Sequence, residues 1–335
     1  MGTSVGVVGF RGYSGAELVR ILERHSQVTP VLMEHRSDSD AAVLPRGARR
    51  HPSIPCTGDA VAAEKLAAVF LATPPEVSMD LTPSLLTAGA KVIDLSGAFR
   101  LRTPENYKQW YKADHTQPEL LKEAAYGLPE FCRDRIKGAR LVSNPGCYPT
   151  AANLALKPLI AKQIIDRTAG IVCDAKSGVS GAGRKPSMKT SFCEVTENFS
   201  AYSMLDHRHV PEVLMNSGIE AAEFSFVAQL LPIDRGILET IYFRGAEGTT
   251  GDSIVGTYEE FYRGEPFVRL YDAGVVPDLR AIQHTNFCDI GVKYDPSTRR
   301  GVIVSVIDNL VKGAAGQAVQ NMNLVLGYHE QEGLL

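Results

Sequence analysis

Six cysteines are spread along this 335-residue chain, at Cys56, Cys132, Cys147, Cys173, Cys193 and Cys288, with no C-x-x-C pair among them. That spacing fits neither a zinc knuckle nor a disulfide framework, so the thiols are expected to be free in a reducing cytosol. One of them has the setting of a nucleophile. Arg140 to Ser143 reads as a strand, followed by Asn144-Pro145-Gly146-Cys147-Tyr148-Pro149-Thr150 and an Ala- and Leu-rich stretch with helical character. Pro149 suits a first helical turn, which has no partner for its missing N–H in any case. Cys147 therefore stands at a helix N-terminus, where free N–H donors favour the thiolate and can hold an oxyanion. The other five cysteines lack this setting and read as small buried apolar residues.

A thiol nucleophile needs an acid or base. Asp206-His207-Arg208-His209-Val210-Pro211-Glu212 supplies two histidines in a charged, Pro-punctuated segment, a poor place for a core histidine. Spacing does not choose between His207 and His209. An H-x-H pair offers only two ligands, so a metal site is not expected.

The N-terminus carries a second chemistry. Thr3 to Phe10 is a Val-rich strand running into Gly9-Phe10-Arg11-Gly12-Tyr13-Ser14-Gly15, a G-x-x-G-x-x-G loop. A helix is expected from Ala16 to about Arg24, opened by a Ser14/Glu17 capping box, and a second strand from Val28 to Glu34. Strand, Gly-rich turn, helix and strand in that order form a dinucleotide-binding unit: glycines admit the pyrophosphate and the helix N-terminus supplies N–H groups and partial positive charge. Gly9, Arg11, Gly12, Tyr13, Ser14 and Gly15 are its candidate phosphate residues. At the end of the second strand Glu34 favours a free ribose 2′-OH, whereas Arg36, Ser37 and Ser39 favour a 2′-phosphate. We lean to NADP(H).

The elements that position these groups alternate. Leu66 to Ala72 and Lys91 to Ser96 read as further strands with a helix from about Glu76 to Ala88 between them, extending a parallel sheet. Ligands bind beyond the carboxyl ends of such strands, which places Thr73, Pro74, Ser96 and Gly97 at a cofactor or substrate. A second Gly-rich loop, Lys176 to Arg184, follows an apolar strand and offers Arg184 to an anion. His25 is expected to be solvated or to cap. Strands follow at Ile290 to Val292 and Val302 to Ile307, and a helix over Leu310 to Leu326.

Composition limits the partners. With 35 basic and 38 acidic residues the net charge is -3, which gives no bulk attraction to nucleic acid or to an anionic membrane. No apolar run reaches membrane-spanning length, and Met1 to Phe10 lacks the basic region of a signal peptide.

The whole set, in order, resembles the N-acetyl-gamma-glutamyl-phosphate reductases of the semialdehyde dehydrogenase superfamily. The carrying segments are GFRGYSGAEL (9–18), DLSGAFRL (94–101), YGLPE (126–130), SNPGCYPT (143–150), AKSGVSGAGR (175–184), HRHVPE (207–212) and TNFCDIG (285–291). The resemblance implies an α/β fold: an N-terminal Rossmann-like dinucleotide-binding domain (1–146 with 308–335) and an α+β catalytic and dimerisation domain (147–307). Its C-terminal helix would return to the first domain. It implies an oxidoreductase of arginine biosynthesis that uses NADPH to reduce an acyl phosphate to N-acetylglutamate semialdehyde through a thioester on Cys147, with His209 or His207 moving protons. Ser180 and Gly181 would lie near the nicotinamide, and Asn286 would hold its carboxamide. Arg100, Asn144 and Arg208 would join Arg184 around the substrate, and the chain would form a homodimer or homotetramer. Phe10 and Arg11 depart from the small residues usual before the middle glycine, and Gly97-Ala98 removes an acid common in DLSADFR. The alternatives are the aminoadipyl-phosphate reductase of lysine biosynthesis and a non-enzymatic NADP sensor.

Overall fold

A computed structural model describes residues 2–35 and 51–335. Arg36, Ser37 and Ser39 lie outside the described residues. The chain divides into two compact units. One comprises Met1–Arg102, His115–Asn144 and Ala318–Leu335; the other comprises Thr103–Asp114 and Pro145–Gln317.

The first unit is built on seven described strands: β1 (Thr3–Val8), β2 (Val28–Glu34), β3 (Ser53–Pro55), β4 (Ala68–Leu71), β5 (Lys91–Asp94), β6 (Ala125–Tyr126) and β7 (Leu141–Ser143). Their order is β3-β2-β1-β4-β5-β7-β6 and every pair runs parallel. Val5 to Val8 and Ala68 to Leu71 are buried without alternation, as strands covered on both faces must be. The order reverses at β1 and β4, so the loops after these two strands open the crevice in which a doubly wound sheet binds ligands.

The helix after β1 runs Tyr13–Leu22, three residues earlier than its apolar pattern suggests. Gly12 is the N-cap, and among the described residues no side chain caps the helix, so the expected Ser14/Glu17 box does not form. Physically, the Gly12 N–H bonds the Gly9 carbonyl at 3.0 Å, a tight turn that starts the helix before Ser14 can flank it. Glu17 pairs instead with Arg20. His25 is buried, its Nε2 2.9 Å from Asn323 Oδ1 in the C-terminal helix, which corrects the solvated reading.

The second unit carries a mixed sheet of seven described strands: β8 (Ile171–Gly178), β9 (Ser200–Tyr202), β10 (Phe224–Leu231), β11 (Ile237–Arg244), β12 (Val268–Leu270), β13 (Cys288–Asp295) and β14 (Arg300–Ile307). They lie in the order β12-β13-β14-β11-β8-β10-β9. Alternate residues of β8 and β11 are buried, and the helix Cys147–Ala161 packs on that inner face. Val172 and Tyr242 on the other face stay 41% and 45% exposed. The apolar stretch after β14 is not one α-helix. A π-helical turn, Val311–Ala315, precedes the α-helix Gly316–Leu326. Asp308 sets it up: its side chain accepts from the Leu310 and Val311 N–H groups, and its carbonyl accepts from Gly313.

Candidate active site

In the first unit the phosphate-binding turn is made of backbone. Gly9 has φ +78°, and a Cβ there would stand 2.2 Å from the Ala72 carbonyl oxygen; a Cβ on Gly15 would stand 2.2 Å from the Gly9 oxygen. Both positions require glycine. Among the described residues no side chain caps the first N–H groups of the helix Tyr13–Leu22, which leaves them for an anion. A cleft of about 230 Å³ lies there, lined by Gly9, Arg11, Gly12, Thr73, Pro74 and Val77 among others. These residues fit a dinucleotide. Tyr13 is 44% exposed beside the turn.

Arg11 lies over the Phe10 ring and bonds both oxygens of Glu34, at 2.8 and 3.1 Å. The pair is half-exposed and contributes little stability. It does neutralise the acid at the end of β2, which would otherwise repel a 2′-phosphate. Sequence alone carries no signal for it, since one partner comes from the Gly-rich loop after β1 and the other from the end of β2.

Two other expected contacts have structural duties. The Ser96 hydroxyl donates to Asp94 Oδ2 at 2.9 Å and accepts from the Ala98 N–H, closing the turn after β5. Burial pushes the Asp94 carboxyl up. Arg100, also buried, donates to the Asn144 and Leu95 carbonyls, at 2.8 Å each, and so braces the chain leading to Cys147. Asn144 Oδ1 accepts from Asn321 at 3.0 Å. The Thr73 hydroxyl sits 2.8 Å from that of Ser78.

In the second unit Cys147 is the first residue of its helix, with Gly146 as N-cap. The Gly146 N–H donates to Glu212 Oε2 at 2.9 Å, and its carbonyl accepts from the Thr150 N–H and hydroxyl at 3.0 Å each. A Cβ on Gly146 would stand 2.8 Å from His209 Nε2 and 2.9 Å from Glu212 Oε1. The imidazole and carboxylate thus pack directly on the residue before the nucleophile. From the far side, Gly313 of the π-turn approaches so closely that its Cβ would meet the Cys147 Cβ at 2.8 Å.

Both histidines are buried, contrary to the surface setting that the charged segment suggested. His207 packs perpendicular to Tyr148, with centroids 5.4 Å apart, and 5.7 Å from Tyr202. Aromatic rings from distant strands and helices override local polarity here. Burial, helped by the Arg208 charge, lowers the His207 pKa to about 4. Its Nδ1 accepts the His209 N–H at 3.1 Å, so His207 holds the backbone that presents His209.

Glu212 is the residue that the sequence reading missed as a functional group. Its signal was there: three residues after His209, in the first turn of the helix Val210–Ser217, it shares a face with that histidine.

Ser180 donates to the Asp234 carbonyl at 2.6 Å and accepts from Asn309 Nδ2 at 3.0 Å, while Asn309 Oδ1 accepts the Gly236 N–H at 2.7 Å. A Cβ on Gly181 would meet Ser177 Oγ at 2.8 Å. Asn286 is buried against Gly316, whose Cβ would lie 2.4 Å from its Oδ1. Arg184 and Arg208 are exposed. Of the other five cysteines, Cys173 and Cys288 are buried, Cys56 and Cys132 half-buried, and Cys193 exposed, so Cys193 is not the packing residue expected. Burial lifts the Cys56 thiol to about 11, the opposite of an activated nucleophile.

Comparison with known proteins agrees in both units. The family models described as the semialdehyde dehydrogenase NAD binding domain and dimerisation domain match residues 4–139 and 147–309. Proteins named N-acetyl-gamma-glutamyl-phosphate reductase are 47% identical in Symbiobacterium thermophilum, over 99% of this chain and 97% of that one, and 45% identical in Desulforudis audaxviator, with the same coverage. Among solved structures, aspartate semialdehyde dehydrogenase II from Vibrio cholerae, complexed with ASA, superposes with TM-score 0.72 at 16% identity, covering 98% of this chain and 99% of that one. Aspartate semialdehyde dehydrogenase from Candida albicans, solved with NADP, gives 0.69 at 15%, covering 97% and 99%. Such low identities speak for the fold. The relatives in sequence go further: this chain belongs to the semialdehyde dehydrogenase family, among the N-acetyl-gamma-glutamyl-phosphate reductases.

Proposed function

We propose that this chain reduces N-acetyl-gamma-glutamyl phosphate to N-acetylglutamate semialdehyde and phosphate with NADPH, a step of arginine biosynthesis. The observation that carries the reading is Cys147 at a helix start whose N-cap packs against His209 Nε2 and Glu212. The Cys147 thiolate attacks the acyl carbonyl carbon, the C–O bond to phosphate breaks, and phosphate leaves with the electron pair, giving a thioester on Sγ. Backbone N–H groups at the start of this helix hold the oxyanion. Bound NADPH supplies a hydride to the thioester carbon.

His209 protonates the carbonyl oxygen as the thiohemiacetal forms and takes that proton back as Cys147 is expelled. His207, neutral at working pH, is the rest on which His209 sits. Glu212 is a positioning residue: it holds the Gly146 N–H and fixes where the helix begins. Arg184 and Arg208 are exposed side chains that can reach anionic substrate groups, while Arg100 acts through the backbone it braces. Gly9, Gly12, Gly15 and the helix after them would hold the pyrophosphate, and Ser180, Gly181 and Asn286 are, by the family resemblance, the residues that would hold the nicotinamide end. The chain works as a homo-oligomer, and its free thiols suit the cytosol.

The test runs the reaction backwards, following NADP+ reduction with N-acetylglutamate semialdehyde and phosphate. Phosphate-dependent turnover is expected. Turnover with the aminoadipyl analogue alone moves the assignment to lysine biosynthesis.

A further inference from the structure

The end of β2 carries an acid where a dinucleotide fold offers one to the cofactor, to accept the hydroxyl of an unphosphorylated ribose. In this chain both oxygens of that acid are already engaged. Glu34 Oε2 accepts from Arg11 Nη1 at 2.8 Å, and Oε1 accepts from Arg11 Nη2 at 3.1 Å and from the Ser53 hydroxyl at 3.3 Å. The guanidinium in turn lies over the Phe10 ring, 4.6 Å from its centroid. Arg11 is in the lining of the cleft beside the phosphate turn, with Phe10, Met33 and His35, and Glu34 is not. Here the cleft presents a cation where strand position alone would present an anion.

We infer that Arg11 is a cofactor-selecting residue, and that it acts by taking Glu34 out of use as a ribose ligand. This selectivity rests on the reading that NADPH is the hydride donor, and it assigns the preference against NADH to one side chain. A ribose 2′-hydroxyl is neutral and offers a single donor. It does not displace a guanidinium held to the carboxylate by two charge-assisted bonds. A 2′-phosphate carries about two negative charges and is drawn to the same guanidinium, whose plane the Phe10 ring supports. Without Arg11 the phosphate would meet an uncovered carboxylate, and the hydroxyl would gain an acceptor. One side chain thus favours one cofactor and obstructs the other.

Backbone geometry supports the placement. The Gly12 N–H closes on the Gly9 carbonyl at 3.0 Å, so Phe10 and Arg11 are the two central residues of a tight turn, and the Arg11 side chain reaches the end of β2 from there. The pair is not there for stability, since its side chains are 30% and 36% exposed. Substituting either partner is therefore expected to move cofactor preference and leave the fold intact.

Titrations of nicotinamide fluorescence on the full chain, without substrate, give the dissociation constants of NADPH and NADH. Arg11→Met keeps a side chain over Phe10 but removes the charge; it is expected to weaken NADPH about tenfold and to tighten NADH about threefold. Adding Glu34→Gln to that variant is expected to abolish the NADH gain, because the uncovered carboxylate is its source, and to restore part of the NADPH affinity. Equal weakening of both cofactors by Arg11→Met, or an NADH gain that survives Glu34→Gln, overturns the selector and leaves the reductase reading intact. If circular dichroism shows Arg11→Met unfolded, Arg11→Lys replaces it: the charge stays without the fork, and the ratio of the two constants is expected to fall about threefold. An unchanged ratio there overturns the selector as well. NADPH-selective binding by a wild type that shows no phosphate-dependent turnover fails the reductase reading and leaves the selector standing.

Discussion

The two ends of the chemistry are built from different materials. In the first unit the phosphate turn is backbone: glycines pressed against carbonyls, and helix N–H groups that no described side chain caps. In the second, side chains surround the residue before the thiol, with His209 and Glu212 against Gly146 and rings around His207. An inert polyanion needs only fixed dipoles. Covalent chemistry needs groups that exchange protons, and these must be oriented by a shell of their own.

The sharpest break in that contrast is Cys147→Ala. Turnover is expected to fall by about 10,000-fold or more, with NADPH affinity by fluorescence titration unchanged. Retained turnover would sink the thioester mechanism.

A matched pair of substitutions separates the two materials. Gly146→Ala places a methyl group 2.8 Å from His209 Nε2, and kcat is expected to drop about 100-fold with the cofactor KM unmoved. Gly9→Ala puts a Cβ against the Ala72 oxygen at φ +78°, straining the turn by more than the ~1–2 kcal/mol of a left-handed residue. Here the cofactor KM is expected to rise about tenfold before kcat changes. The same kinetic pattern from both would erase the distinction.

The smallest effects are on stability against pH. Burial lowers the His207 pKa, to about 4, so the stability linked to its neutral form is present above its ordinary value and lost as pH falls from about 6.5 toward 4. Glu239, fully buried in β11 beside Cys173, has its pKa raised by burial. Its contribution is present below its ordinary value and is lost as pH rises above about 4.3. Denaturant titrations across pH are therefore expected to show His207→Gln flattening the acid limb and Glu239→Gln the alkaline one. An unchanged limb in either variant refutes the corresponding assignment.

Much of this site is readable along the chain because its parts are local. The Gly9 turn, the strand Val28–Glu34 and the helix start at Cys147 each follow from a few adjacent residues whose backbone preferences agree. Where reading failed, either a neighbouring turn intervened or residues far apart in sequence had to meet. Ser14 and Glu17 look like a cap until the Gly9–Gly12 turn moves the helix start. His25 looks solvated until Asn323 returns to it, and the apolar run from Leu310 looks like one α-helix until Asp308 and the approach of Gly313 to Cys147 force a π-turn. His207 and His209 are equivalent on paper. Only the rings of Tyr148, Tyr202 and Phe226 make one a buried neutral support and place the other's Nε2 against Gly146.

The sequence by itself determined which groups carry the chemistry, because nucleophile, acid–base residues and glycine turns are fixed by residue type and short spacing. Tertiary structure alone decided their roles. Burial, the partner across a gap and the face left uncovered depend on where distant segments pack, and local pattern does not encode that.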